Sequence, residues 1–304
     1  MAETQQVSPS TASPATKSVD IVIPSGATAG EAFQVAIDAC LTHLAPNESC
    51  WLSTEHPDCL HQTRVSTRRL RALFSLMRVL VRDDPALQDL KARLRLILVP
   101  LGPARDLDVA LQRARENDWS AADLTRLEDA RTIAYAGARQ VLESAAWQQV
   151  WEDLTEWRYA PSWLDHAAHL RDGPARVVTD AALDHRYRRI VRAGPHLLTM
   201  SEFQLHRIRI EGKKLRYGCQ FFDTLYDAGV VADDEGQTVS VPLHFADTVA
   251  DLQDAFGAFN DAAVARELRE SLGLESTDEL EAPTRLECMA AWQAVVDLAP
   301  FWRS

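Results

Sequence analysis

An eleven-residue pattern that occurs twice constrains this chain more than any other feature. His61-Gln-Thr-Arg64-Val-Ser-Thr-Arg68-Arg69-Leu70-Arg71 returns as His206-Arg-Ile-Arg209-Ile-Glu-Gly-Lys213-Lys214-Leu215-Arg216, at an offset of 145 residues. A histidine, an arginine, a basic pair, a leucine and a final arginine keep register. A shorter element follows each copy: Leu101-Gly102-Pro-Ala-Arg105-Asp106, then Phe256-Gly257-Ala-Phe-Asn260-Asp261. Glycine and aspartate are shared there, while Arg105 is answered by Asn260. Self-similarity of this kind marks an internally repeated architecture.

The segments around the repeats read as helices, with apolar residues at three- and four-residue spacing and little β-branched alternation. Leu70, Leu73, Phe74, Met77 and Leu80 form one stripe. Leu124, Leu127, Ala130, Ile133, Ala134, Val141 and Leu142 form another, and Leu183, Tyr187, Ile190 and Val191 a third. Punctuation falls at Pro46-Asn47, Pro57, Asp84-Pro85, Gly102-Pro103, Pro161, Gly173-Pro174, Gly194-Pro195 and Pro242. Asp84 before Pro85 has the form of an N-cap with proline at the first helical position. The stretch 233–241 reads as a loop or a brief extended piece, so the expectation is an all-α chain. Residues 1–24, rich in Ser, Thr, Pro and Ala at their start, read as a disordered tail. The first repeat is then placed at 25–165 and the second at 166–304.

At about 100° per residue, His61, Arg64, Arg68 and Arg71 share an arc of about 80°, and His206, Arg209, Lys213 and Arg216 repeat it. The apolar stripe lies roughly opposite. Each helix therefore buries one side and presents a row of cations on the other. Aligned cations repel one another, so a duplicated row points to an anion lying along it. Guanidinium groups suit phosphate oxygens, and histidine adds a donor that strengthens below about pH 6.5. Arg69 and Lys214, near 80°, stand between ligand contact and an internal partnership with Asp106 or Asp261.

The formal net charge of −12 opposes an anionic ligand only on average. Residues 61–115 hold 12 Lys and Arg against 5 acids, and residues 186–216 hold 9 against 2. Two basic patches on an acidic body concentrate positive field locally and repel nucleic acid elsewhere. Neither basic helix interleaves aromatics that would stack bases, so no specific nucleic-acid partner is expected. No apolar run is long enough to span a bilayer.

Five cysteines without a C-x-x-C pair argue against a disulfide framework or a structural zinc site, and the absence of an export signal points to the cytoplasm. His166 and His169, beside Asp165, lack a third ligand and read as surface. The tryptophans Trp147, Trp151, Trp157 and Trp163 read as core or half-core contacts. Asp106, Asp108, Asp254 and Asp261 are the carboxylates that a phosphoryl-transfer enzyme would need beside its cations. Asp106 and Asp261 read rather as capping or bridging groups. No P-loop, nucleophile–base pair or cofactor motif is present, so neither an enzyme nor a cofactor is expected.

At the two basic motifs and the two Gly/Asp elements the chain resembles the CHAD family, the conserved-histidine α-helical domain. The resemblance covers about residues 25–300. It implies two four-helix bundles related by pseudo-twofold symmetry, a basic channel between them, binding of inorganic polyphosphate, and association with polyphosphate granules. By position, it assigns His61, Arg64, Arg68, Arg71, His206, Arg209, Lys213 and Arg216 to the channel. Arg69, Lys214 and Arg105 join them as polyphosphate-binding candidates, and Arg186, Arg189 and Arg192 match loosely as a basic helix before the second motif, with Arg186 and Arg189 counted among the candidates. Asn260 departs from the basic residue at that place. Residues 1–60 lack the E-x-E-x-K strand of the triphosphate tunnel domain that many relatives carry, so a stand-alone member is expected. The alternatives are a metal-dependent phosphoanhydride-processing enzyme and a nucleic-acid-binding or scaffold protein. Nothing in the sequence sets an oligomeric state.

Overall fold

A computed structural model describes residues 14–303 apart from 160, 166, 234–235, 277, 279 and 281–282. The chain is almost wholly helical. Its first half comprises α1 (Ala29–Thr54), α2 (Pro57–Leu76), the single turn α3 (Arg78–Val81), α4 (Pro85–Ile97), α5 (Leu101–Glu116), α6 (Ala121–Leu142) and α7 (Ala145–Trp157). Short turns α8 (Pro161–Asp165) and α9 (Ala168–Arg171) lead to α10 (Ala175–Ala193), a 3-10 turn (Gly194–Thr199) and α11 (Glu202–Phe222). A small antiparallel hairpin, β1 (Val230–Ala232) with β2 (Thr238–Ser240), precedes α12 (Val241–Leu272) and α13 (Arg285–Asp297).

Local chemistry sets these boundaries. Thr28 with Glu31, Ser201 with Gln204 and Thr284 with Glu287 make reciprocal capping boxes for α1, α11 and α13. Asp84 caps α4, accepting from the Leu87 amide at 3.2 Å, with Pro85 in the first helical position. Its other oxygen accepts from Trp157 Nε1 at 2.9 Å, which ties α7 to the same corner. Trp147, Trp157 and Trp163 are buried and Trp151 is half-buried.

Four sequence expectations change. Pro46-Asn47 does not end a helix; both residues lie inside α1. The buried Asn47 amide donates to His43 O at 2.7 Å and to Thr16 O at 2.9 Å, and accepts from the Thr16 amide at 3.0 Å. Those bonds pin residues of the expected tail. Ile21 and Ile23 are buried too, and the Ile23 amide donates to Thr224 Oγ1 at 2.8 Å, so residues 14–24 are anchored at these points although most of them stay exposed, while 1–13 lie outside the described residues. Thr28 bridges to Pro174, which lays this N-terminal segment against the second half. Third, Cys50 and Cys59 form a disulfide, because the left-handed Glu55 and the Pro57 turn fold the end of α1 onto the start of α2 and bring the two Cα atoms to 6.0 Å. Cys40, Cys219 and Cys288 are free and buried. Fourth, Ile133, placed in an apolar stripe, is exposed; α6 turns Leu127, Tyr135, Ala138 and Leu142 inward instead.

The two halves are not matched element for element. Pro100 separates α4 from α5, and Gly102-Pro103 fall in the first turn of α5, whereas the aligned stretch around Gly257 has no proline and α12 runs unbroken through 32 residues. The basic helices α2 and α11 pack on each other where the halves meet. Gly218 lets α10 come close to α11 beside that contact, since a Cβ there would stand 2.6 Å from Leu183 Cδ2, with Leu76 Cδ1 of α2 at 3.4 Å. One continuous core runs from Ile21 to Trp302 through both halves, so the chain is a single packed body rather than two separable units. A smaller cluster of Leu107, Leu111, Ala114 and Leu127, with Leu268 and Leu272 against it, joins α5, α6 and α12.

Candidate anion-binding groove

Both copies of the repeat bury Leu70 or Leu215 and turn their cations toward the junction of the halves. Arg68 on α2 reaches across, its Nε donating to the hydroxyl of Tyr217 on α11 at 2.8 Å. Around this contact opens a groove of about 680 Å³. Arg68 and Arg71 of α2 and His206, Lys213 and Lys214 of α11 line it. Arg78 of α3 with Lys91 and Arg95 of α4 line its outer side. No carboxylate lines it.

Behind Arg68 and Lys213 lies an inner cluster. His61 feels the positive charges of Arg105, Arg68 and Arg64, and Lys213 feels those of Arg68, Arg209 and Arg64. The shared glycines of the second motif lie against the first arginine of each repeat. Gly102 lies against Arg64, with Nη1 3.6 Å from where a Cβ would stand, and Gly257 lies against Arg209, with Nε at 2.8 Å. Gly257 thus leaves room for Arg209, whereas a Cβ at Gly102 would make only ordinary contact with Arg64, and Arg209 Nε also donates to Gln253 O at 3.3 Å. Asp106 and Asp261 approach each other beside these cations, and Asp106 is raised by burial and by Asp261, against the pull of Arg64. Among the described residues, no carboxylate comes within 4.0 Å of a nitrogen of Arg64, Arg68, Arg71, Arg78, Arg95, Arg105, Arg209 or Lys213, although acids outnumber bases in the chain.

Unpaired and partly dry, these groups resist protonation. Burial lowers His61 to about 4, with Arg105 and Arg68 adding to it. Burial and then Arg209 and Lys213 lower His206. His61 is therefore neutral at pH 6.5 and His206 is displaced in the same direction, which opposes the expected gain of charge below that pH. Lys213 falls to about 7 through burial, Arg68 and Arg209, opposed by Asp261.

The remaining candidates sit elsewhere. Arg69 is 7% exposed and turns inward, its Nη1 donating to Ser18 Oγ at 3.2 Å and its guanidinium 5.0 Å from the Phe221 ring centre. Its partner is thus neither Asp106 nor Asp261. Arg186, 8% exposed, is also internal: it donates to Glu211 Oε2 at 2.9 Å and to Ser75 O at 2.8 Å. Lys214 lines the groove but pairs with Glu211 at 3.2 Å. Arg189 comes within 3.8 Å of Glu211 and opens into a separate cleft on α10. Arg216 is half-buried, does not line the groove, and its buried Nε has no hydrogen-bond partner. Asp108 is held by Arg131 and Tyr135, each at 2.7 Å, in the pairing of α5 with α6. His166 lies outside the described residues. Among those described, no three His, Cys, Asp or Glu side chains gather as metal ligands. Arg78, Lys91 and Arg95 were missed because they lie outside both repeats; only the base excess of residues 61–115 hinted at them.

A sequence model of the CHAD domain matches residues 35–270. No curated protein matches. The crystal structure of the CHAD domain from the plant Ricinus communis is similar at 25% identity and a TM-score of 0.68, covering 93% of this chain and 90% of that one. PptA from Streptomyces chartreusis is similar in fold, at 16% identity and a TM-score of 0.57, covering 91% of this chain and 100% of that one.

Proposed function

The chain belongs to the CHAD domain family, and from that premise we propose that it binds inorganic polyphosphate in the groove between α2 and α11 without transforming it. One observation carries the reading: seven Lys and Arg side chains line the groove, no carboxylate is part of its lining, and Glu211 behind it pairs with Lys214 alone of the seven. A linear anion with a charge on every unit, and no bases to recognise, satisfies such a surface through its oxygens alone. His61, Arg64, Arg68, Arg71, Arg105, His206, Arg209 and Lys213 then hold the chain, and Arg78, Lys91 and Arg95 extend its bed. Arg69 and Arg186 serve the fold. Binding of this kind would recruit the protein to polyphosphate granules. The Tyr217 ring is buried beneath Arg68 and Arg69, which disfavours base stacking and with it a nucleic-acid ligand.

Titrating the full chain with polyphosphates of several lengths at two salt concentrations tests this. Displaced counterions set the salt slope, so about six phosphate contacts imply a loss on the order of 10³-fold in affinity between 50 and 200 mM salt. Salt-independent binding, or equal affinity for single-stranded RNA, overturns the reading. Release of orthophosphate in the presence of Mg²⁺ overturns its non-catalytic part.

Lys213 adds a pH signature. In the free protein it titrates near 7, and a polyanion beside it restores its proton. Affinity is therefore full below about pH 7 and falls as the pH rises toward the higher value of the complex. Calorimetry at pH 7.5 in buffers of different ionisation enthalpy should record up to about one proton taken up per site. Lys213→Arg should keep the affinity and flatten its decline between pH 6.5 and 8.5. A flat wild-type profile over that range refutes the assignment.

A further inference from the structure

The groove does not close at its α3 edge. Ser75 and Arg78 on its rim also line a second cleft of about 370 Å³, shared by the end of α2 with α3 and α10. That cleft in turn shares Ala181 and His185 with a third, of about 480 Å³, on the outer face of α10. A second connection runs through side chains. Lys214 on the groove wall binds Glu211, and Glu211 lies 3.8 Å from Arg189, which lines the third cleft.

The third cleft is basic by design of its helix. His185, Arg188, Arg189 and Arg192 recur at i, i+3, i+4 and i+7 and so occupy one face over a rise of about 10 Å. Asp184 is the one carboxylate lining it, and it is already engaged by Arg188 at 2.6 Å and by Arg303. Arg192 is exposed and, among the described residues, has no carboxylate within ion-pair distance. The middle cleft is walled largely by Leu76, Val79, Val177 and Val178, and offers Arg78 and His185 as its polar crossing points. A cationic face that continues a cationic groove around a corner is a place for the rest of a long ligand.

We propose that the outer face of α10, through His185, Arg188, Arg189 and Arg192, is a second binding leg for inorganic polyphosphate chains too long for the central groove. The proposal rests on the groove reading and adds to it a preference for long chains. Short oligophosphates occupy only the α2–α11 groove. Long ones pass over Arg78 and His185 onto α10, and the extra contacts appear as higher affinity and a steeper salt slope.

The test compares tripolyphosphate with a long-chain polyphosphate on the full-length protein, by competition or calorimetry at two salt concentrations. For Arg188→Glu with Arg192→Glu, long-chain affinity should fall about tenfold or more and the salt slope should drop by about one to two, while tripolyphosphate affinity stays unchanged. Arg192→Gln, which disturbs no internal pair, should give a smaller long-chain loss, about threefold, with the helical circular dichroism intact. Unchanged long-chain affinity in both variants overturns the proposal. So does an equal loss with both ligands, or a loss confined to RNA. A wild-type protein that binds neither phosphate chain instead marks failure of the groove reading itself.

Discussion

Replacing Arg64 and Lys213 together by glutamate is expected to weaken polyphosphate binding by about three orders of magnitude while the far-ultraviolet spectrum stays helical. Hydrogen bonds to charged groups contribute about 1.5–3 kcal/mol each, so losing two removes at least about 3 kcal/mol. Reversal adds repulsion between the new carboxylates and the ligand, and about 4 kcal/mol corresponds to a thousandfold change. The fold should tolerate the change because neither side chain has a carboxylate partner to strand. Instead Lys213 is depressed first by burial and then by the like charges of Arg68, Arg209 and Arg64. Neutral replacements, Arg64→Gln with Lys213→Gln, should fall between wild type and the reversed pair. Binding that survives reversal undiminished would remove the groove from consideration, whatever else on the surface holds phosphate.

Much of this site is legible in the sequence because helical periodicity converts spacing into direction. His61, Arg64 and Arg68 had to share a face, as did His206, Arg209 and Lys213, and the buried leucines fixed which way each face turned. Azimuth says nothing about partners that arrive from afar, however. Arg69 and Arg186 look like their neighbours in the text, yet each turns inward toward oxygens far away in sequence, Ser18 in one case and Glu211 with Ser75 in the other. Arg78, Lys91 and Arg95 reach the groove because α2 breaks at Met77 and Asp84-Pro85 starts α4 in a new direction, which no repeat encodes. Protonation was equally hidden. His206 lines the groove and His61 lies behind it, and burial among cations pushes His61 down to about 4 and lowers His206 as well. The apparent tail misled for a related reason. Low-complexity composition masked Ile21 and Ile23, whose burial depends on the surface offered by the second half.

Loss of Glu211 should cost the fold heavily, although it occupies the place that Ser66 holds in the first repeat. Its carboxylate is nearly buried and holds Arg186 at 2.9 Å and Lys214 at 3.2 Å, with Arg189 at 3.8 Å. Arg186 in turn donates to the backbone and hydroxyl of Ser75 on α2, so the network ties α10 and α11 to the other half. Burial pushes the Glu211 carboxyl upward, but the Arg186 hydrogen bond and the charges of Lys214 and Arg186 outweigh it and hold the group below its ordinary value. A depressed carboxyl stabilises the fold above the unfolded value of about 4.5 and loses that contribution as the pH falls through the native value. Breaking a buried pair strands a charge, so Glu211→Leu should cost about 3–5 kcal/mol, seen as a fall of roughly 10 °C in Tm. Adding Arg186→Met should recover part of the loss, because an apolar pair no longer leaves Arg186 without its carboxylate. The wild-type Tm should drop below about pH 4.5 more steeply than that of the double variant. A Glu211→Leu protein melting within about 2 °C of wild type would mean that water, not this carboxylate, satisfies Arg186.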